Sequence, residues 1–159
     1  MFMFKRLSQR EIKNNWSTYK QHIKKALEST EGCQAIMSSS SLDLYKNIYG
    51  YLLSPYEQSM HIWMDNKKEF LYLTAISVCE LSGNKTLLFF AGVRLKEVDK
   101  ETLDKRYYDY IKTVSQFAKE NGCVGMYSYS DLDYFAKMAK RTQDWTNVIT
   151  RYQFYFPLN

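Results

Sequence analysis

The fold is decided by the segment from Ser59 to Val98, which reads SMHIWMDNKKEFLYLTAISVCELSGNKTLLFFAGVRLKEV. Its stretches Ser59–Met64, Glu69–Leu81 and Lys85–Val98 are rich in Ile, Val, Thr, Tyr and Phe, which favour β-strands. Two short polar segments separate these stretches, and both contain the Asn, Asp or Gly residues that hairpin turns prefer. The segment therefore predicts an antiparallel meander.

The last strand of this meander contains an apolar run without alternation, Leu87-Leu88-Phe89-Phe90-Ala91. A strand with one face in solvent alternates apolar and polar side chains, whereas a strand that is covered on both faces does not. The run therefore predicts that other elements cover this strand on both sides of the sheet.

The residues before the meander predict a strand and two helices. Phe2–Leu7 is the strand candidate, and Ser8-Gln9-Arg10-Glu11 has the pattern of a capping box, in which a hydroxyl and a carboxylate bind free N–H groups at a helix start. One amphipathic helix is expected from there to Gly32, and a second over Leu42–Leu52. The apolar positions of the first helix recur at helical spacing, and they are Ile12, Trp16, Tyr19, Ile23 and Leu27.

The residues after the meander predict a βαβ unit. Asp99 is a candidate N-cap, and the helix that it starts ends at Asn121-Gly122. Cys123–Tyr129 is then a strand, which the βαβ rule places parallel to the last strand of the meander. A further helix to Arg141 and a final strand, Val148–Phe156, complete the predicted order β-α-α-β-β-β-α-β-α-β.

Length and composition indicate one globular domain over residues 1–159. The chain has 45% hydrophobic and 25% charged residues with a net charge of +5, which excludes extensive disorder. The longest apolar stretch, Leu87–Val93, is shorter than the ~20 residues that cross a bilayer, and Met1–Phe4 is too short for a secretory signal. We therefore expect a cytoplasmic protein without a membrane partner, and buried free thiols at Cys33, Cys79 and Cys123.

Three short sequence features stand at definite places in this order of predicted elements. They are Leu7-Ser8 followed by Ile12 and Trp16, the meander leading into Phe90-Ala91-Gly92-Val93, and Phe117-Ala118 followed by Gly122-Cys123. With the element order, these features resemble the GNAT acetyltransferase superfamily, and more narrowly the small GNAT-like proteins of tailed bacteriophages. The resemblance implies an α/β domain whose mixed, mostly antiparallel sheet of about six or seven strands is flanked by about four helices. It also implies a location in the host cytoplasm, with incorporation into a virion.

The resemblance further implies a cofactor loop after the meander, and this sequence departs from it. Superfamily members that use acetyl-CoA have a Gln/Arg-x-x-Gly-x-Gly/Ala loop there, whose backbone N–H groups bind the diphosphate. Residues 93–102 read VRLKEVDKET and contain no glycine, while Glu97, Asp99 and Glu101 add negative charge. We therefore expect a degenerate loop that binds no cofactor, and its positions are Val93, Arg94, Lys96 and Asp99.

No catalytic or metal site is predicted. The resemblance implies a Tyr general acid in the late helix, but Met138-Ala139-Lys140-Arg141 occupies that part of the sequence. His22 and His61 are isolated, which is typical of structural or surface histidines. Cys79 lies within a predicted strand and does not resemble an activated nucleophile. The His, Cys, Asp and Glu residues do not have metal-ligand spacing.

The aromatic content predicts contact surfaces for a partner. Aromatic residues make up 16% of the chain, 14 of them Tyr, and Tyr is enriched at protein interfaces. Most are expected in the core or at its boundary, but Tyr108 lies off the apolar face of its helix. The interaction candidates are Tyr45, Tyr49, Tyr51, Lys105, Arg106 and Tyr108.

The sequence leads to three functional hypotheses. The first is a non-catalytic GNAT-like protein that acts through protein–protein contacts, as a virion-associated or assembly component of a phage with other proteins of that assembly as partners. The second is an active N-acetyltransferase that binds acetyl-CoA with an atypical loop. The third is a basic protein that binds nucleic acid or a host factor, since Lys and Arg outnumber Asp and Glu by 22 to 17.

Overall fold

The structure is a computed structural model, which describes residues 3–28, 43–56 and 59–128. In these ranges the strands are β1 (Phe4–Arg6), β2 (Ser59–Asp65), β3 (Phe70–Val78), β4 (Lys85–Arg94) and β5 (Cys123–Ser128). The helices are α1 (Gln9–Asn14), α2 (Trp16–Glu28), α3 (Leu44–Leu52) and α4 (Lys100–Glu120). The predicted late helix and final strand, and Cys33, lie outside the described residues.

The strands form one mixed sheet in the order β1-β2-β3-β4-β5. Strands β1 to β4 pair in antiparallel fashion, whereas β4 and β5 are parallel, from Lys85↔Cys123 to Phe89↔Ser128. Helix α4 connects these two strands, so the predicted βαβ unit is confirmed. The meander is confirmed as well, and the sheet is largely antiparallel as expected.

The first helical segment begins as predicted but is divided in two. Ser8 and Glu11 form a complete capping box at the start of α1. Asn15 is the C-cap of α1, with φ −127° and ψ 26°, and its side-chain Nδ2 donates to the carbonyl oxygen of Glu11 at 3.2 Å, beside the regular helical bond from its own N–H. Asn side chains compete in this way with helical hydrogen bonds. The single helix expected as far as Gly32 is therefore two helices, α1 and α2, on either side of Asn15.

Helices cover both faces of the sheet, and each face has its own apolar core. One face packs against α1, α2 and α3, with the buried residues Leu7, Ile12, Ile23, Ala26, Leu27, Ile48, Leu52, Met60, Ile62, Met64, Leu71, Leu73 and Val93. The other packs against α4, with Phe4, Trp63, Phe70, Ile76, Leu87, Phe89, Tyr107, Tyr110, Ile111, Val114 and Ala118. Within the described ranges, no helix is both long and apolar enough to cross a membrane.

A β-bulge in β4 changes which of its residues face each core. Leu73 of β3 pairs with Ala91, but the next residue, Thr74, pairs with Phe89, so β4 has one extra residue at position 90. Phe89 therefore belongs to the core under α4, while Ala91 packs against the core under α1–α3. The bulge and the two covered faces together account for the apolar run without alternation.

The strand expected over Glu69–Leu81 is shorter than predicted. It ends at Val78, and Cys79 opens the turn to β4, where its N–H donates to the carbonyl oxygen of Asn84 at 2.9 Å. Cys79 is exposed and Cys123 is half-buried, which corrects the expectation that these thiols are buried. Hydrogen bonds from Ser82 and Leu81 lower the pKa of the Cys79 thiol.

Candidate functional site

The loop in which the resemblance implies a cofactor leads into the start of α4, so the geometry of this helix start is described first. Asp99 is its N-cap, with φ −68° and ψ 166°. The N–H of Thr102 donates to Oδ1 of Asp99 at 2.7 Å, and the Thr102 hydroxyl donates to Oδ2 at 3.0 Å. Both carboxylate oxygens are therefore engaged at the helix start, and the predicted N-cap is confirmed.

The pKa of Asp99 reflects this arrangement. The N–H and then the hydroxyl of Thr102 lower the pKa of the carboxyl group, because both stabilise its ionised form. Burial acts in the opposite direction, and the N–H groups of Asp99 and Glu101 make smaller contributions that lower the pKa further. The Asp99 carboxylate at the start of α4 therefore stays ionised to a lower pH than an ordinary Asp side chain does.

The remaining residues of the degenerate loop are also engaged within the chain. Val93 is buried in the core under α1–α3. Arg94 forms an ion pair with Glu97, with Nη2 and Oε2 3.1 Å apart. The ammonium group of Lys96 donates to the carbonyl oxygen of Lys67 at 3.0 Å, and the N–H of Leu95 donates to that of Glu69 at 2.7 Å. The loop is tied to the turn between β2 and β3.

This geometry does not fit the diphosphate of acetyl-CoA. Diphosphates bind helix starts where several backbone N–H groups are free and side chains leave room for close approach. Here the Thr102 N–H already binds the Asp99 carboxylate, and the N–H of Leu103 donates to the Asp99 carbonyl oxygen. Glu101 adds a second acidic side chain to the first turn of α4. An incoming diphosphate would meet the negative charges of Asp99 and Glu101 at this helix start.

A polar cleft of about 570 Å³ lies beside the start of α4, between this helix and the turn that joins β2 to β3. The segment at the start of α4 and the β2–β3 turn each contribute acidic and basic residues to this cleft. Its lining residues are Met3, Asn66, Lys67, Glu69, Glu97, Val98, Asp99, Thr102, Lys105 and Arg106. The cleft faces β1 and β2, on the side of β4 away from β5. Its lining includes Glu97, Asp99 and Thr102, from the loop and first helical turn where the resemblance implies a diphosphate site.

Arg106 lines this cleft from within the protein, since only 5% of it is exposed. Its Nη2 donates to Oε2 of Glu69 at 3.3 Å, and its Nε lies 3.9 Å from Oδ2 of Asp65. Its Nη1 contacts the sulfur of Met3 at 2.6 Å. Arg106 thus joins α4 to the turn after β2, and the structure removes it from the candidates for an exposed contact surface.

His61 is the one described histidine that is buried, and it belongs to a polar network on the α4 side of the sheet. Its Nε2 lies 2.9 Å from Oγ of Ser59, and its Nδ1 lies 3.2 Å from Oγ1 of Thr74. The indole N–H of Trp63 donates to the same Thr74 oxygen at 2.9 Å. The sequence did not indicate this network, because it depends on the cross-strand register His61↔Thr74.

The network assigns a structural role to His61. Trp63 can only donate, so Thr74 accepts from it and is free to donate its hydroxyl proton to Nδ1 of His61. The Nε2–H then donates to Ser59, which leaves the ring neutral and without a free basic nitrogen. Burial, and then the positive charge of Arg6, lower the pKa of His61 to about 4. A ring in this state is a poor general base near neutral pH.

The aromatic interaction candidates divide into exposed and packed residues. Tyr51 and Tyr108 are 51% and 45% exposed, and Lys105 is exposed beside Tyr108 on α4. Tyr45 and Tyr49 instead pack on α2. The ring of Tyr49 lies 4.6 Å from that of Trp16, and the ammonium of Lys20 lies 5.3 Å above the ring of Tyr45. Tyr56, which no pattern in the sequence singled out, is 78% exposed.

No group of three or more His, Cys, Asp or Glu residues in the described part of the chain could hold a metal ion.

Comparison with known proteins gives results for structure but not for sequence. No protein-family model and no curated protein matches the chain. An aminoglycoside acetyltransferase from an uncultured soil metagenomic sample, solved in complex with sisomicin, superposes with a TM-score of 0.64 at 16% identity, covering 98% of this chain and 95% of that one. The chain has the GNAT fold.

Two further acetyltransferase structures have the same GNAT fold. A possible acetyltransferase from Clostridium difficile 630 has a TM-score of 0.57 at 15% identity, covering 96% of this chain and 97% of that one. A GNAT family acetyltransferase from Staphylococcus aureus has a TM-score of 0.57 at 10% identity, with the same two coverages of 96% and 97%. The predicted GNAT fold is confirmed, whereas the narrower likeness to bacteriophage proteins stays a prediction.

Proposed function

We propose that this GNAT-fold protein acts through contacts with other proteins and does not transfer an acetyl group from acetyl-CoA. The observation that supports this is the start of α4, where the carboxylate of Asp99 binds the Thr102 N–H and hydroxyl. The fold alone does not establish activity, since one fold supports many functions. The function must therefore be argued from the site, where the Asp99 carboxylate binds the Thr102 N–H and places negative charge at the helix start.

The exposed face of α4 is the contact surface that we propose. Tyr108 is nearly half exposed, and Lys105 and Lys112 lie on the same face because they are three and four residues away from it. A Tyr ring offers a large rigid area together with a hydroxyl group, which suits an interface. The partners that we expect are other proteins of a larger assembly.

The test of this surface is the variant Tyr108→Ala in the full chain, purified under mild conditions from its native source. A protein partner should co-elute with the wild type in a fixed ratio, and it should be lost from the variant. The melting temperature should change by less than about 2 °C, because Tyr108 lies at the surface with 45% of it exposed. Co-elution that the variant leaves unchanged would exclude this surface, and a large drop in melting temperature would mark Tyr108 as a core residue.

The second candidate is an N-acetyltransferase that binds acetyl-CoA in an atypical way. The near-complete coverage of three acetyltransferase structures favours it, since every described strand and helix has its place in a shared fold. Release of free thiol from acetyl-CoA in the presence of a panel of amines would support this candidate. Thiol release at the rate of a protein-free control would leave the contact proposal as the better account.

The virion-associated role and the nucleic-acid or host-factor role stay predictions. The affinity for an oligonucleotide, measured at several salt concentrations, addresses the nucleic-acid role. Phosphate contacts produce a steep fall of affinity with salt, whereas a flat dependence would exclude them.

A further inference from the structure

Arg106 is a buried guanidinium whose described partners do not use all of its donors. Its Nη2 donates to Oε2 of Glu69 at 3.3 Å, whereas its Nε, 3.9 Å from Oδ2 of Asp65, has no hydrogen-bond partner among the described residues. Its Nη1 contacts the sulfur of Met3, and a thioether is only a weak acceptor. A stronger acceptor in place of this sulfur would therefore be favourable, because buried charged donors form the strongest hydrogen bonds.

Met3 is held beside Arg106 and is within reach of small molecules from solvent. Its carbonyl oxygen accepts the N–H of Asn66 at 2.9 Å, which fixes the residue next to the turn after β2. It is half-buried and lines the cleft of about 570 Å³ beside α4. This volume is many times the ~30 Å³ that one water molecule occupies in the liquid, so a molecule as small as hydrogen peroxide can enter.

We infer that Met3 is a site of reversible oxidation by peroxides and that Arg106 binds the resulting sulfoxide. In this step a lone pair of the Met3 sulfur forms a bond to one peroxide oxygen while the O–O bond breaks. The sulfur is oxidised by the loss of two electrons, which reduce the peroxide, and the proton of the transferred oxygen leaves with the released hydroxide as water. The flexible Met side chain lets the new oxygen turn toward Nη1 of Arg106, for which it is a better acceptor than the thioether.

The expected effect on stability is the reverse of the usual one. Oxidation makes a methionine side chain polar, which disrupts an apolar core. Met60 and Met64 are 9% and 6% exposed and belong to the core under α1–α3, so a sulfoxide at either position would be destabilising. At Met3 the new oxygen instead meets a charged donor at the wall of a polar cleft. Its sulfoxide should therefore strengthen the link between the residue before β1 and helix α4.

The experiment treats the full chain with dilute hydrogen peroxide and compares the wild type with Met3→Leu, which has no sulfur at this position. Mass spectrometry of peptides locates the oxidised residues, with Met60 and Met64 as internal controls. We expect Met3 to be oxidised at least about tenfold faster than these two, since oxidation follows exposure. On treatment, the melting temperature of the wild type should rise relative to that of Met3→Leu by about 2 °C or more. A methionine sulfoxide reductase should reverse this gain.

Met3→Gln tests the role of Arg106 without oxidation, because its amide oxygen is a strong acceptor on a side chain of similar length. It should melt at a higher temperature than Met3→Leu. Oxidation of Met3 no faster than that of Met60 and Met64 would overturn the inference. A Met3 sulfoxide that leaves the difference from Met3→Leu unchanged, or reduces it, would overturn it as well. Equal melting temperatures of Met3→Gln and Met3→Leu would contradict the binding of an acceptor by Arg106.

Discussion

At the level of single residues, Thr74 is a buried polar residue of the sheet whose hydroxyl has two side-chain partners. It is fully buried in the middle of β3, and its hydroxyl oxygen is shared by Trp63 and His61. Buried polar groups cost free energy when they lose their partners, so this one hydroxyl keeps two large side chains compatible with the core under α4.

Replacing Thr74 by Val should lower the free energy of unfolding by about 2 kcal/mol, because the Trp63 N–H and a His61 nitrogen lose their partner inside the protein. Urea unfolding measures this loss. Thr86→Val is the matched control, since Thr86 is also a strand residue but no side-chain hydrogen bond of its hydroxyl is described; its change should stay within about 0.5 kcal/mol. Equal changes for the two variants would contradict the role given to Thr74.

His61 should make the protein less stable in mild acid. Its pKa in the folded protein is about 4, below the ordinary value of 6.5. As the pH falls from 6.5 to 4, the unfolded chain takes up a proton that the folded protein does not, so stability decreases by up to roughly 3 kcal/mol.

The measurement for His61 is the difference in unfolding free energy between pH 7 and pH 4.5. His61→Gln should show a smaller difference than the wild type, because the acidic groups that also titrate in this range are common to both proteins. An identical pH dependence in wild type and variant would show that His61 titrates normally.

At the level of the elements, the pairing of β3 with β4 depends on Gly92, because the ring of Tyr72 lies where a side chain at this position would be. A Cβ atom at this position would lie 2.5 Å from Cδ1 of the Tyr72 ring, which is closer than real Cβ atoms come. Tyr72 pairs with Gly92 across the strands, and its ring stacks on that of Tyr110 in α4 with the centroids 3.9 Å apart. Gly92 therefore lets one aromatic stack join β3, β4 and α4.

Gly92→Ala should lower the free energy of unfolding by about 2 kcal/mol, since the Tyr72 ring must move away from Tyr110. The matched control is Gly125→Ala in β5, where an added Cβ atom meets nothing within 4 Å. Thermal or urea unfolding of both variants provides the comparison. A loss in Gly125→Ala as large as that in Gly92→Ala would show that the effect comes from glycine in a strand and not from Tyr72.

The elements also show how far a sequence of this kind can be interpreted. Ser8 and Asp99 were predictable as N-caps because a cap is formed by residues only three positions apart. The break at Asn15, the extra residue of β4 at position 90 and the burial of Arg106 were not predictable. The last two depend on partners brought close by the fold, namely the register of β3 against β4 and the pairing of Arg106 with Glu69. The break at Asn15 is local, but an Asn side chain that bonds to the carbonyl four residues earlier does not always end a helix.

At the level of the whole molecule, the scaffold and the cofactor loop lead to different conclusions. The sheet, its two covered faces and the parallel β4–β5 pair belong to the GNAT fold. The start of α4 instead has acidic residues and a self-contained cap. The element order could be predicted because hydrophobic periodicity specifies it, and the missing glycines could be seen directly. The hydrogen bonds that close the helix start required the structure.

The most direct test of this account is an isothermal titration of the full chain with acetyl-CoA at pH 7. We expect no binding heat at ligand concentrations up to about 1 mM, equivalent to a binding free energy weaker than about −4 kcal/mol. Saturable binding with a dissociation constant in the micromolar range would contradict the account and would establish that the start of α4 does not exclude the coenzyme.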